Sequence, residues 1–221
     1  MSNNLYNQKW DKFLKRIWPF RFIPFVDFVL AAGSLATGNM NEDSDFDVIV
    51  GVRQGRIFSA RAFCFLSFEI FGWWARHPKN SKDKLCFNHF VTPKAYRLSP
   101  PYNEYWVNLY KSLVPVYGGS EVIQKFYDAN IDWLGARRMY KGDEEHIYKK
   151  IGWVKKMLDS NNRTKEGLGD WLENILKSVQ MRKIEKSLGK QSGYKPRIIF
   201  NDNELEFHPD TRRIDGFLNK N

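Results

Sequence analysis

The chain has 221 residues, 43% hydrophobic and 16% aromatic, with 8 Trp and 17 Phe, which supports a packed core and excludes a largely disordered chain. Its length suits one large domain or two small ones. The first residues, MSNNLYNQ, lack a basic stretch followed by an apolar run, and the longest apolar stretch, residues 23–36, is interrupted by Asp27 and Ser34; it falls short of the ~20 residues of a membrane span, so a cytoplasmic chain with no membrane contact is expected.

Residues 5–18 set Leu5, Phe13, Leu14 and Ile17 apart from four basic residues, which predicts an amphipathic helix. Pro19 and Pro24 bracket a turn, residues 25–32 read as a buried strand rich in Val and Phe, and residues 34–38 as one helical turn. DFDVIVGV, residues 45–52, begins with acids alternating with apolar residues and then turns apolar, the pattern of a strand with a functional face at its start. Residues 57–75 are almost wholly apolar and predict a buried helix, residues 77–84 are turn-like, and LCFNHFV, residues 85–91, predicts a third strand. Helices are then predicted over 102–113, stopped near Pro115; over 120–129, with Ser120 as N-cap; over 142–159, with Ile147, Ile151, Val154 and Leu158 on one stripe; and over 168–188, with Leu168, Leu172, Ile175 and Val179 on another. Residues 197–200 and 205–207, joined by NDNE, predict a hairpin. This order predicts an α+β fold: a small mixed β-sheet core flanked by helices in residues 1–113, then a mainly helical basic module with a short C-terminal hairpin in residues 114–221.

The chemistry concentrates in AGSLATGNMNEDSDFDVIV, residues 32–50. Asp45 and Asp47, at i and i+2 on a strand, project from one face. Two carboxylates so close repel each other unless a cation lies between them, and Mg²⁺ is commonly held by one or two carboxylates together with substrate phosphates. Gly33 lets the backbone approach a phosphate, while the helix start at Ser34 offers N–H groups and a hydroxyl. A strand, a phosphate turn and a metal-binding strand describe phosphoryl or nucleotidyl transfer. Cys64 and Cys86, each flanked by Phe, read as buried thiols of a reducing compartment. Among His77, His89, His146 and His208 no pair has metal-ligand spacing, and His208 in FHPD reads as a turn residue.

Gly33-Ser34, ten residues, then Asp45-Phe46-Asp47-Val48 resembles the nucleotidyltransferases of the DNA polymerase β superfamily, in particular its small bacterial and archaeal members. The resemblance implies that residues 1–113 form a nucleotidyltransferase core, that Gly33 and Ser34 bind the triphosphate, and that Asp45 and Asp47 coordinate Mg²⁺. It also implies two metal ions that clamp the attacking and leaving oxygens while a nucleoside monophosphate passes from an NTP, ATP or CTP, to an acceptor hydroxyl. The family's third carboxylate maps onto Asn88, an amide with no useful basicity. On a regular strand His89 faces the other way.

Of the formal net charge of +10, residues 137–197 carry +8, and Lys149, Lys150, Lys155 and Lys156 flank Trp153, with Arg182, Lys183 and Lys186 on the next predicted helix. RNA, such as a tRNA end, is therefore the expected acceptor, met through residues 137–197. Trp153 and Trp171 fit base stacking or, at helical spacing with Leu and Ile, the core. Two other functions are compatible with the same residues: a catalytically weak or inactive nucleotide- or RNA-binding module, and a toxin–antitoxin nucleotidyltransferase that modifies a protein or tRNA.

Overall fold

Runs of Val, Leu, Ile and Phe too apolar for a surface supply the centre of the molecule, and their alternation divides them between two cores. The computed structural model describes residues 3–76, 80–100, 102–135, 166–188 and 197–208. The predicted helix over 142–159, with Lys149, Lys150, Trp153, Lys155 and Lys156, lies outside the described residues, as do His77 and His146. In chain order the elements are α1 Asn3–Arg16, β1 Val26–Ala31, α2 Gly33–Thr37, β2 Phe46–Val52, α3 Ile57–Ile70, β3 Leu85–Val91, α4 Glu104–Lys111, β4 Val114–Gly118, α5 Ser120–Asp128, α6 Ile131–Leu134, α7 Glu166–Leu188, β5 Arg197–Phe200 and β6 Glu204–His208.

The fold is mixed α+β, with a six-stranded sheet of order β4-β1-β2-β3-β6-β5. Among the described strand pairs only β2–β3 is parallel, joined by α3 as the crossover that a parallel pair requires. On β2, Phe46, Val48 and Val50 enter a core built with Trp10 and Phe13 of α1 and Cys64 and Phe68 of α3. Ile49 enters the other core, with Trp106 and Tyr110 of α4 and Phe126 of α5. Period-two alternation therefore turns Asp47 toward the α4 face. Among the described residues no helix is long and apolar enough to cross a membrane.

Strands β4, β5 and β6, all after residue 113, belong to the same sheet as β1, β2 and β3. Several expectations about individual elements are corrected. Residues 114–118 were not expected to be a strand, because Pro115 reads as a helix stop; β4 is an edge strand, where proline is tolerated. The helix expected over 57–75 ends at Ile70, and Trp74 instead forms a parallel bridge with Leu85. Ser120 does not cap α5: Gly119 occupies the N-cap and no side chain caps the helix.

The stripe Leu168, Ile175 and Val179 of α7 is exposed, and so is Trp171 at 61%, because α7 turns inward a mixed edge of Glu173, Leu176, Gln180 and Ile184. Its buried Glu173 accepts the Phe58 and Ser59 amides at 2.8 Å each, and Gln180 accepts from Arg61 and donates to the Phe58 carbonyl. Helix α3 has no capping side chain of its own, so Glu173, 115 residues away, satisfies two of its orphan amides. Glu173→Ala is expected to cost about 1–2 kcal/mol, the range of a lost cap, measured as a lower denaturation midpoint at unchanged cooperativity. Glu173→Gln, which keeps one acceptor oxygen, should lose less.

Candidate active site

The site begins where β1 ends. The Ala32 amide donates to the Asp47 carbonyl at 2.9 Å, which stitches the turn after β1 to the start of β2. Gly33 follows with φ +61°, and a Cβ there would lie 2.1 Å from Asp47 Oδ2, so only glycine permits this approach. Ser34 sits in the first turn of α2, half-buried. Gly38 in the left-handed region closes α2 after five residues.

The loop back to β2 is pinned from α1. Lys9, 4% exposed, donates to the carbonyls of Glu42 at 2.7 Å and Ser44 at 3.0 Å and to Asp83 at 2.8 Å. Asp83 also holds Lys12 at 2.5 Å and offers its carbonyl to Arg16. This buried cation tethers the loop that delivers Asp45, half-buried, beside Asp47.

A carboxylate oxygen of Asp45, one of Asp47 and Cys86 Sγ all lie within 4.8 Å of one another. Asn88 Nδ2 donates to Asp47 Oδ1 at 3.0 Å, and Cys86 Sγ lies 2.9 Å from Asn88 Oδ1, placed to donate to it. Asn88 therefore lies beside Asp47, with its NH₂ toward the carboxylate and its carbonyl toward the thiol. Burial, then the charge of Asp45, pushes the Asp47 carboxyl up to about 7. Burial likewise raises Asp45, with Lys9 among the opposing influences. Burial and the two carboxylates push the Cys86 thiol well up, so it stays protonated and acts as a donor. Cys64 is buried as expected, but Cys86 is half-buried at this site.

His89 does not face away from Asn88. Asp47 pairs with Cys86 and Ile49 with His89, so three residues of β3 match two steps of β2. The bulge turns Asn88 and His89 into one cavity of about 130 Å³, lined also by Gly33, Asp47, Tyr105, Trp106, Tyr110 and His208. His208 is the last residue of β6 rather than a turn residue.

Behind the cavity lies a buried ionic network. His89 Nε2 lies 3.0 Å from Glu204 Oε1. Glu206 Oε1 lies 2.8 Å from Arg197 Nε, 3.1 Å from His208 Nε2 and 3.4 Å from the Tyr110 hydroxyl. Burial alone would raise the Glu206 carboxyl; His89, His208 and Arg197 outweigh it and hold the group well below the usual range. Arg197 also stacks over Trp106 at 4.9 Å. A larger groove of about 880 Å³ between α3 and α7 contains none of these groups.

No protein-family model, curated protein or solved structure matches the chain.

The raised Asp47 value has a definite pH consequence. Because the folded state binds a proton more tightly than the unfolded chain, stability is fully present below the unfolded value near 3.8 and is lost as pH rises through about 7. The difference in stability between wild type and Asp47→Asn, followed by thermal melts without divalent cation, should therefore shift in favour of the variant between about pH 4 and 7 and stay level above that. A wild-type curve parallel to the variant's across this window would show that Asp47 titrates normally.

Proposed function

We propose that the chain is a nucleotidyltransferase that uses Asp45 and Asp47 to hold a divalent cation and Gly33 and Ser34 to receive a triphosphate. The observation that carries this reading is the packing of Gly33 against the Asp47 carboxylate, with Asp45 beside it. That packing joins a tight phosphate-sized turn to a pair of like charges, of which Lys9 opposes only that of Asp45 among the described residues. The donor set fits Mg²⁺ through its two carboxylates, which are hard oxygen ligands. Bound there, the cation would neutralise charge on the triphosphate and on the oxygens that exchange at the α-phosphorus.

The chain's own groups supply position and exclusion. Asn88 and Gly33 fix the Asp47 carboxylate from two sides, and Lys9 holds the loop that presents Asp45. The α4 aromatics Tyr105, Trp106 and Tyr110 wall the cavity. At about 130 Å³ it is smaller than the ~300 Å³ at which whole-ligand pockets begin, so it takes a reacting group rather than an entire nucleotide. The acceptor proposed is a hydroxyl of RNA, favoured by the +8 charge of residues 137–197 and by the exposed Arg182, Lys183 and Lys186 of α7. The second reading, a nucleotide-binding module without turnover, is favoured by the amide at position 88.

Incubation with each α-labelled NTP, Mg²⁺ and total RNA separates these readings. Label on RNA is expected, and label on protein would point to a protein-modifying enzyme. NTP binding without transfer would favour the binding module. Asp45→Asn or Asp47→Asn should abolish Mg²⁺-dependent NTP binding while the fold survives; normal transfer by either variant would remove the site assignment. Asn88→Asp, which adds a third carboxylate ligand, should raise the rate at limiting Mg²⁺.

RNA affinity should fall steeply with added salt, because each phosphate contact releases counterions. Charge reversal at Lys155 and Lys156 should weaken binding to all sequences alike, as titrations by fluorescence anisotropy would register. A flat salt response would exclude a nucleic-acid acceptor.

A further inference from the structure

Transfer to a hydroxyl requires a group that takes the hydroxyl proton, and Asn88, which donates to Asp47 and faces the Cys86 thiol, has no basicity to offer. The next strand across the sheet is β6, antiparallel to β3 with Glu206 opposite His89. From Glu206 the chain therefore runs back toward Asn88, and His208, two residues on, returns to the same face. Asp47, Asn88 and His208 follow one another across β2, β3 and β6, and all three line the same cavity.

We propose that His208 is the proton acceptor of this site, with Glu206 and Arg197 as positioning residues; the inference rests on the nucleotidyltransferase reading above. Glu206 is fully buried and held by Arg197 Nε at 2.8 Å, and its Oε1 lies 3.1 Å from His208 Nε2. A carboxylate fixed in this way accepts the Nε2 proton, selects that tautomer and leaves Nδ1 free to receive another. The acceptor's O–H proton passes to Nδ1, and its oxygen bonds to the α-phosphorus. The bond from that phosphorus to the bridging oxygen breaks, and pyrophosphate leaves with the electron pair. The groups around His208 are Glu206 and Arg197 on the hairpin, Glu204 and His89 behind them, Trp106 and Tyr110 on α4, and Asp47 and Asn88 across the cavity. His208 is 25% exposed and reachable by an acceptor, whereas His89, 3% exposed, is closed in against Glu204.

The test follows pyrophosphate release from each NTP with Mg²⁺ and total RNA, alongside direct NTP binding. His208→Ala should lower Asp47-dependent release by a hundredfold or more, within the ~10²–10⁴-fold of one positioned base, with NTP affinity unchanged. Added imidazole should restore it. His208→Gln, which retains a partner for Glu206 but no basicity, should show the same loss. It decides the matter if the alanine variant does not fold. Release close to wild type in either variant, or a loss in a folded His208→Ala that imidazole does not restore, overturns the inference and leaves the roles of Asp45 and Asp47 intact. Absence of Asp47-dependent release in the wild type overturns both.

Discussion

The contact between Gly33 and the Asp47 carboxylate is the constraint on which the rest of the site depends. It brings the turn after β1 against the second residue of β2, with the Ala32 amide on the Asp47 carbonyl as the stitch. With Asn88 on its other side, the carboxylate has little room to rotate away from Asp45. Lys9 completes the arrangement from below by tying the loop ahead of Asp45 to α1. Two like charges are thus held together by packing, and their repulsion is offset by the apolar burial on both faces of the sheet.

The elements that position these groups were legible wherever a local pattern decided them. The alternation in DFDVIVGV and the apolar run LCFNHFV specify β2 and β3, and NDNE between two short apolar stretches specifies the hairpin. Strand β4 was illegible because Pro115 ends a helix and sits in an edge strand with equal ease. The inward face of α7 was illegible because the residues that decide it are Glu173 and Gln180, whose partners lie on α3, more than a hundred residues back. The pair Asp45 and Asp47 could be read from spacing alone. The bulge that brings His89 round beside Asn88 could not, since it exists only in the pairing of β3 with β2.

The same reason hid the network of Glu204, Glu206, Arg197, His89 and His208. In sequence four of these are scattered charges of a polar tail and His89 stands in a distant apolar run; in the sheet the hairpin inserts β6 beside β3 and buries them together. Desolvating two carboxylates is costly, and pairing with Arg197 and the two imidazoles offsets that cost only in this register. A slip of one residue along β6 would turn Glu206 into the apolar core around Phe90 and Leu205. The ionic network therefore specifies which side of the hairpin faces α4, and Arg197 reinforces the choice by stacking on Trp106.

The place of β6 in the sheet also bears on how the molecule assembles. His89 and Glu204 are separated by 115 residues, so during synthesis β3 emerges long before its partner. Until the hairpin arrives, LCFNHFV, with Phe87 and Phe90 within it, presents a row of unpaired amides and carbonyls, a template for pairing with the wrong chain. Closure of that edge joins residues far apart in the chain, which makes it a slow, late event. A nascent chain can thus form the β1–β2 half around Asp45 and Asp47 early, while the wall that holds Glu206 and His208 is laid down only near the end.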